Sequence, residues 1–230
     1  MAFRIHTFAA LAVMTATVPQ FVAAGTYSLP AGCEAYVTVQ SRQCNVTHHF
    51  TCANDPDGHQ RRVDLDNQAM LYLSMIDYET QWVQSYSPQF DEYERLLPGA
   101  NDPASFTELL ETGFDSYDFR LENSNQGILR FVGSDRLTGR TVTIDGVDLL
   151  ETDYEAQFIT EAGEVSSFSG TEYIHPEWRI FISGTRTWVT DDTENTYDGS
   201  PVEFHFPGDP GFLSDTAKFD CGGVVSKTQR

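Results

Sequence analysis

Residues 140–150 read Arg-Thr-Val-Thr-Ile-Asp-Gly-Val-Asp-Leu-Leu, and this stretch decides the fold class. Asp145-Gly146 supplies the two positive φ angles of a type I′ turn, whose twist matches that of the strands on either side. Folding about it sets Ile144 opposite Val147 and Val142 opposite Leu149 on one face, with Thr143 and Asp148 on the other. The segment is a β-hairpin with one apolar face.

The same alternation spreads outward from it. Tyr117, Phe119 and Leu121 interleave with Ser116, Asp118, Arg120 and Glu122; Tyr154, Ala156 and Phe158 interleave with Asp153, Glu155 and Gln157. Each is a half-buried strand. Ala162-Gly163 marks a turn into Val165–Ile174, a further strand runs from Trp178 to Val189, and Val202, Phe204 and Phe206 form a late one before Pro207-Gly208. Turn signals at this regular spacing predict an antiparallel meander. Thr80, Trp82, Val83 and Tyr86 give the stretch from Ile76 to Tyr86 strand character as well. Two short helices break the pattern. Asp102-Pro103 reads as an N-cap with proline at the first helical position, Phe106, Leu109 and Leu110 as the apolar stripe, and Gly113 as the stop. Ser87-Pro88 opens a second helix carrying Phe90, Tyr93 and Leu97, ended by Pro98-Gly99. The expected fold is mainly β: one large antiparallel meander sheet, curled or closed into a half-barrel or barrel, with two short helices.

CNVTHHFTC, residues 44–52, asks whether the cysteines bind metal or cross-link the fold. In one continuous strand Cys44 and Cys52 lie roughly 26 Å apart at ~3.3 Å per residue, whereas a disulfide needs Cα atoms within about 7 Å. They then pair with Cys33 and Cys221, in either arrangement; if the segment bends, they pair with each other. The adjacent His48 and His49 point to opposite faces, and no C-x-x-C or H-E-x-x-H spacing occurs. Two structural disulfides among Cys33, Cys44, Cys52 and Cys221 are expected, with no metal and no cofactor. The acidic turns at 54–58 and 191–199 lack calcium-loop spacing.

An even cysteine count agrees with the leader. Arg4 precedes an apolar run ending at Val22-Ala23-Ala24, so residues 1–24 read as a signal peptide, residues 25–221 as one β-rich domain and 222–230 as a flexible tail. A rival lipobox reading of Leu29-Pro-Ala-Gly-Cys33 would leave three cysteines, an odd number. No segment has the apolar length of a transmembrane helix. The chain of 230 residues carries 34 acidic against 14 basic side chains, a net charge of −20. Such a surface repels phosphate backbones and excludes nucleic-acid binding.

No G-x-S-x-G elbow, glycine-rich phosphate loop or other catalytic signature occurs, so the expectation leans away from an enzyme and no catalytic residue is assigned. Functional colour comes from the aromatic content, 13%. Trp178–Ile182 and Ala69–Ile76 are apolar on both faces, which suits a curled sheet receiving a hydrophobic ligand. Trp82, Phe106, Leu110, Trp178 and Phe181 are the candidate ligand-binding residues.

The leader, the hairpin at 140–150 and the helix at 103–112 together resemble the periplasmic lipoprotein-carrier half-barrels (Lol-type). That resemblance implies a periplasmic or secreted protein that carries an apolar small molecule, lipid or acyl chain. An acidic envelope module meeting a basic protein partner is the alternative. An extracytoplasmic hydrolase built on paired carboxylates is a third reading, one that needs two such groups facing each other in a cleft.

Overall fold

The computed structural model describes residues 25–190 and 193–222. The expected signal peptide, the tail beyond 222 and Asp191-Asp192 lie outside the described residues. The hairpin at Asp145-Gly146 forms in the expected register, Ile144 opposite Val147 and Val142 opposite Leu149, with φ of 48° and 79° at the two turn residues. Its arms are the two longest strands, β8 (Gly127–Ile144) and β9 (Val147–Thr160). Before it come β1 (Cys33–Ser41), β2 (Asn45–Cys52), β3 (Gln60–Leu65), β4 (Met70–Ile76), β5 (Trp82–Ser87), β6 (Glu92–Leu96) and β7 (Phe114–Asn123). After it come β10 (Val165–His175), β11 (Ile180–Thr190), β12 (Thr193–Asp198) and β13 (Pro201–His205).

All thirteen strands make one antiparallel sheet, ordered β12 back through β1 and then β13. The two edge strands are therefore consecutive in sequence, joined by Gly199 and Ser200 alone. Two residues reach roughly 10 Å at most, so the sheet has to roll until its edges stand side by side. Among the described residues no ladder closes the seam; the Phe204 N–H donates to Asp145 Oδ2 at 2.8 Å, and Gly199 N–H to the Gly184 carbonyl at 2.8 Å. Beside the seam, Val37, Val39, Val147, Leu149, Ile180, Ile182 and Phe204 form a shared core drawn from β1, β9, β11 and β13.

Among the described residues one α-helix, α1 (Phe106–Thr112), is present where two helices were expected. It begins three residues later than the Asp102-Pro103 signal suggests. Asp102 is held in an extended bridge to Asp118, and Ser105 caps the helix, its Oγ accepting the Glu108 N–H at 3.2 Å. Gly113, at φ 81°, ends it as expected. The helix expected from Ser87-Pro88 is a single 3-10 turn, Pro88–Phe90. Asp91 then takes a left-handed φ of 47° and turns the chain back as β6, which pairs Tyr93 with Tyr86. The two rings stack at 4.2 Å, a cross-strand contact that a helix would forfeit.

The stretch from Ile76 to Tyr86 is likewise not one strand. Asp77 Oδ1 accepts the N–H groups of Glu79 and Gln81, and this aspartate-centred turn separates β4 from β5. On the far side, β11 starts at Ile180 rather than Trp178, because Arg179 (φ 50°) closes a tight turn by donating its N–H to His175 O. Phe206 lies just beyond β13.

The pairing of the sulfurs is Cys33–Cys52 and Cys44–Cys221. The two cysteines, Cys44 in the turn just before β2 and Cys52 at its end, are thus bridged outward and not to each other. Cys33, bonded to Cys52, has no thiol left for acylation. The second bridge fastens a strap, residues 212–221, over β1–β3. Tyr27, Leu29, Phe212, Leu213 and Ala217 cover Val46, Phe50, Val63 and Leu65 there. The apolar outer face of the first strands is therefore buried as well as the inner one. On the chain-entropy relation, the 177-residue separation of Cys44 and Cys221 is worth about 5 kcal/mol and the 19-residue separation of Cys33 and Cys52 about 3. The Cys44→Ser/Cys221→Ser variant is expected to lose more stability in urea melts than Cys33→Ser/Cys52→Ser; the reverse order would show that the strap contributes little to holding the sheet.

Candidate functional site

Side chains on paired strands alternate in step, so the register lays out the inner face as rows. Asp115, Asp135, Tyr154, Gly170 and Arg186 are successive partners across β7 to β11. The next row toward one end of the barrel is Tyr117, Gly133, Ala156 and Phe168, followed by Phe119, Phe131 and Phe158 and then Leu121 and Leu129. Toward the other end lie Thr152 with Glu172, then Leu150 with Ile174 and Phe181. There α1 closes the barrel, packing Phe106, Leu109 and Leu110 on Ile174, Leu150, Leu137 and Phe181. The interior is layered: an apolar plug, a charged layer, then an aromatic layer.

The facing wall continues the charged layer. His49, Arg62, Ser74, Ser85 and Glu94 are successive partners across β2 to β6. Together the two walls enclose a cavity of about 170 Å³, on the order of ten waters at ~10–15 Å³ each. Ala156 is the small side chain that lines it on the β8–β10 wall, while Gly133 and Gly170 are packed against neighbours: a Cβ on Gly170 would stand 1.9 Å from the Thr185 carbonyl oxygen. A Cβ on Gly133 would stand 2.6 Å from the Tyr117 ring, which needs that space to stack on Phe131. A shallower groove of about 810 Å³, lined by Leu73, Tyr86, Tyr93, Arg95 and Glu122, shares Ser74, Gln84, Ser85 and Glu94 with the cavity.

Of the five residues expected to bind a ligand, Trp82 and Phe181 line this cavity. Trp82 lies 4.5 Å from Phe131 and edge-on to Phe119. Phe106 and Leu110 sit in the plug behind it, Phe106 edge-on to Phe181 at 5.6 Å. Trp178 is elsewhere: it stacks on His175 at 3.6 Å beside Phe204 and Phe206. His48 and His49 do point to opposite faces. His48 is buried under the strap against Tyr27 and bonded to Thr38, and His49 lines the cavity. Among the described residues, no group of three or more His, Cys, Asp or Glu side chains is placed to hold a metal ion.

The charged layer was not anticipated. Burial, reinforced by the charges of Glu172 and Asp115, pushes the Asp135 carboxyl up to about 8. Burial pushes Glu172 up to about 7 against the opposing pull of Arg186 and Arg62. Asp115 is raised by burial to about 6, although it accepts the Ser105 N–H at 3.0 Å. Burial, Arg62 and His48 push His49 down to about 3, so it is neutral. Arg62 is held by Asp64 at 3.3 Å and lies over Tyr72, while Arg186 lies over Phe168 at 4.9 Å. The layer can hold a polar group and exchange a proton with it; the aromatic layer can hold an apolar body.

The chain matches no protein-family model, no curated protein and no solved structure.

The carboxyl pair sets a pH dependence. A carboxyl raised on folding leaves the native state with more bound protons than the unfolded chain, so stability falls as pH rises toward the folded value. His48 and His49, lowered to about 4 and 3, act in the opposite sense but only below their ordinary value of 6.5. Between pH 6.5 and 8 the loss from Asp135 and Glu172 dominates, joined only by the end of the Asp115 titration. It is expected to be on the order of 2 kcal/mol, a few degrees in Tm. Asp135→Asn/Glu172→Gln should flatten the thermal-melt profile over that window; an unchanged slope would remove these residues as its cause.

Proposed function

We propose that this is an exported, non-enzymatic protein that binds or carries a small amphipathic molecule inside the rolled sheet. The observation that supports it most is the layered cavity, with a charged layer beneath a sleeve of aromatic rings. A binding site is commonly a mostly apolar concavity with a few convergent polar groups, and this interior has that make-up. The volume suits a ligand of roughly ten to fifteen heavy atoms, a short acyl or aryl amphiphile, by the same scale of a few such groups per cavity. The two disulfides support export, since such bridges persist in oxidising compartments. No helix among the described residues is long and apolar enough to cross a membrane.

A second reading draws on the Asp135–Glu172 pair. Two carboxyls raised to about 8 and 7 in one cavity are suited to general acid–base work on a bound substrate. Turnover of chromogenic glycosides or esters that disappears in Asp135→Asn would favour it over carriage.

Trp82 offers a direct readout of occupancy. In a protein with Trp178 and Trp188 replaced by phenylalanine, short aryl and acyl amphiphiles are expected to shift Trp82 emission in a saturable way. Ala156, 3% exposed at the centre of the wall, is the place to fill the cavity. Ala156→Leu should weaken binding at least about tenfold, some 1.4 kcal/mol. Saturable binding that Ala156→Leu leaves intact would place the ligand outside the cavity.

A further inference from the structure

We infer that the cavity selects an organic cation, with an ammonium group in the charged layer against Asp135 and Glu172 and an apolar body among the rings of Tyr117, Phe119, Phe131 and Phe168. This rests on the reading of the cavity as a ligand site and names the chemical class it takes.

The first observation is an unsatisfied pair of carboxyls. Asp135 is 8% exposed and lines the cavity, yet no donor among the described residues hydrogen-bonds its side chain. The half-buried Glu172 carboxyl, on the next row and two strands away, has none either among the described residues. Every other acidic side chain of the cavity is engaged. Asp115 accepts from Ser105, and Glu94 accepts from Ser85 and Asn123. Three arginines line the cavity, and none pairs with these two carboxyls; Arg61 is held by Asp55 at 2.6 Å. Arg62 is paired with Asp64, and Arg186 lies over the Phe168 face, with neither guanidinium within 4 Å of Asp135 or Glu172 among the described ion pairs. A buried carboxyl without donors is costly, and a cation that supplies N–H groups or positive charge relieves that cost.

The second observation is independent of the carboxyls. The row beside them is built from aromatic faces: Tyr117 stacks on Phe131 at 5.3 Å and 2°, and Phe131 is flanked by Phe158 at 4.7 Å and Trp82 at 4.5 Å. Ring faces carry negative potential and attract cations, ammonium ligands in particular. Arg186 over Phe168 already uses one such face in this way.

Arg62 supplies the competing argument, since its buried Nε has no partner. An anion drawn to it would share the cavity with Glu94, Asp115, Asp135 and Glu172 against Arg61, Arg62 and Arg186, of which Arg61 is already neutralised by Asp55. The whole chain, at −20, also repels its approach. The balance of nearby charge favours the cation.

Three isosteres decide the matter: 4-phenylbutylamine, 4-phenylbutanol and 4-phenylbutyrate, titrated calorimetrically into the disulfide-intact protein at pH 8 and low salt. The amine is expected to bind at least tenfold tighter than the alcohol, and the carboxylate weakest. Asp135→Asn and Glu172→Gln should each bring the amine down to the level of the alcohol, and both variants should fold, because they remove a buried charge. Equal binding of amine and alcohol would overturn the cation selectivity and leave the cavity as an amphiphile site. Preference for the carboxylate would assign the layer to Arg62 and Arg186 and overturn the inference. Failure of all three to bind would overturn both this inference and the function on which it rests.

Discussion

Two residues, Gly199 and Ser200, connect the strands that form opposite edges of the sheet. This short tether forbids an open, flat arrangement and obliges thirteen strands to roll into a tube. Rolling creates an inside, and what fills it follows from register. The long β8–β9 hairpin supplies much of one wall, and the same Asp145 that makes its turn also holds β13 at the seam through the Phe204 N–H. A residue that sets a local turn thereby secures a contact across the whole sheet. The edge problem of a large sheet is met here without a closing ladder. β13 is paired to β1 on one side and receives a side chain on the other.

Covalent and apolar cladding then protect the outside of the first strands. The strap from 212 to 221 covers β1–β3, its carbonyls and N–H groups are taken up by Gln40 and Asn67, and Cys221 fixes its end to Cys44. Both faces of these strands are consequently dry, which explains why β1 buries consecutive residues from Val37 to Ser41 where a one-sided sheet would alternate.

How much of this was legible in the sequence depended on whether the deciding interaction was local. The Asp145-Gly146 hairpin, the alternating strands on either side and the Gly113 helix stop are set within a few residues, and they form where the pattern places them. That the four cysteines form two disulfides was likewise readable, but strand length excludes a Cys44–Cys52 bridge only if the segment stays straight, so the sequence leaves the pairing open among three arrangements. Ser87-Pro88 misleads because Asp91 reverses the chain after a single turn, and the benefit of doing so, the Tyr86–Tyr93 stack, lies across a strand pair. Asp102 misleads for a similar reason: its backbone is claimed by Asp118 in another element. In the cavity, Trp82 and Phe181 were visible as aromatic residues on two-sided strands. Trp178 had the same look but sits in a turn. Asp135 and Glu172 were passed over among 34 acidic residues. Their one local mark is phase: Asp135 continues the inward alternation of Phe131 and Gly133, and Glu172 that of Phe168, Gly170 and Ile174.

That phase carries an energetic meaning. A carboxyl on the inward side of a strand loses hydration, and where no donor replaces the water it retains its proton to well above the usual carboxylate range. Leucine or valine at positions 135 and 172 would suit the neighbouring rows better by packing alone, and would let the aromatic and plug layers merge into one continuous core. The carboxyls prevent that merger. Together with the small Ala156 they line a space of about 170 Å³ between the two layers. The long-range disulfide and the doubly buried strands stabilise the opposite wall, which itself carries His49 and Arg62 of the charged layer. A tube stabilised from outside and left polar within is a physical basis for recognising a molecule that is itself part charged and part apolar.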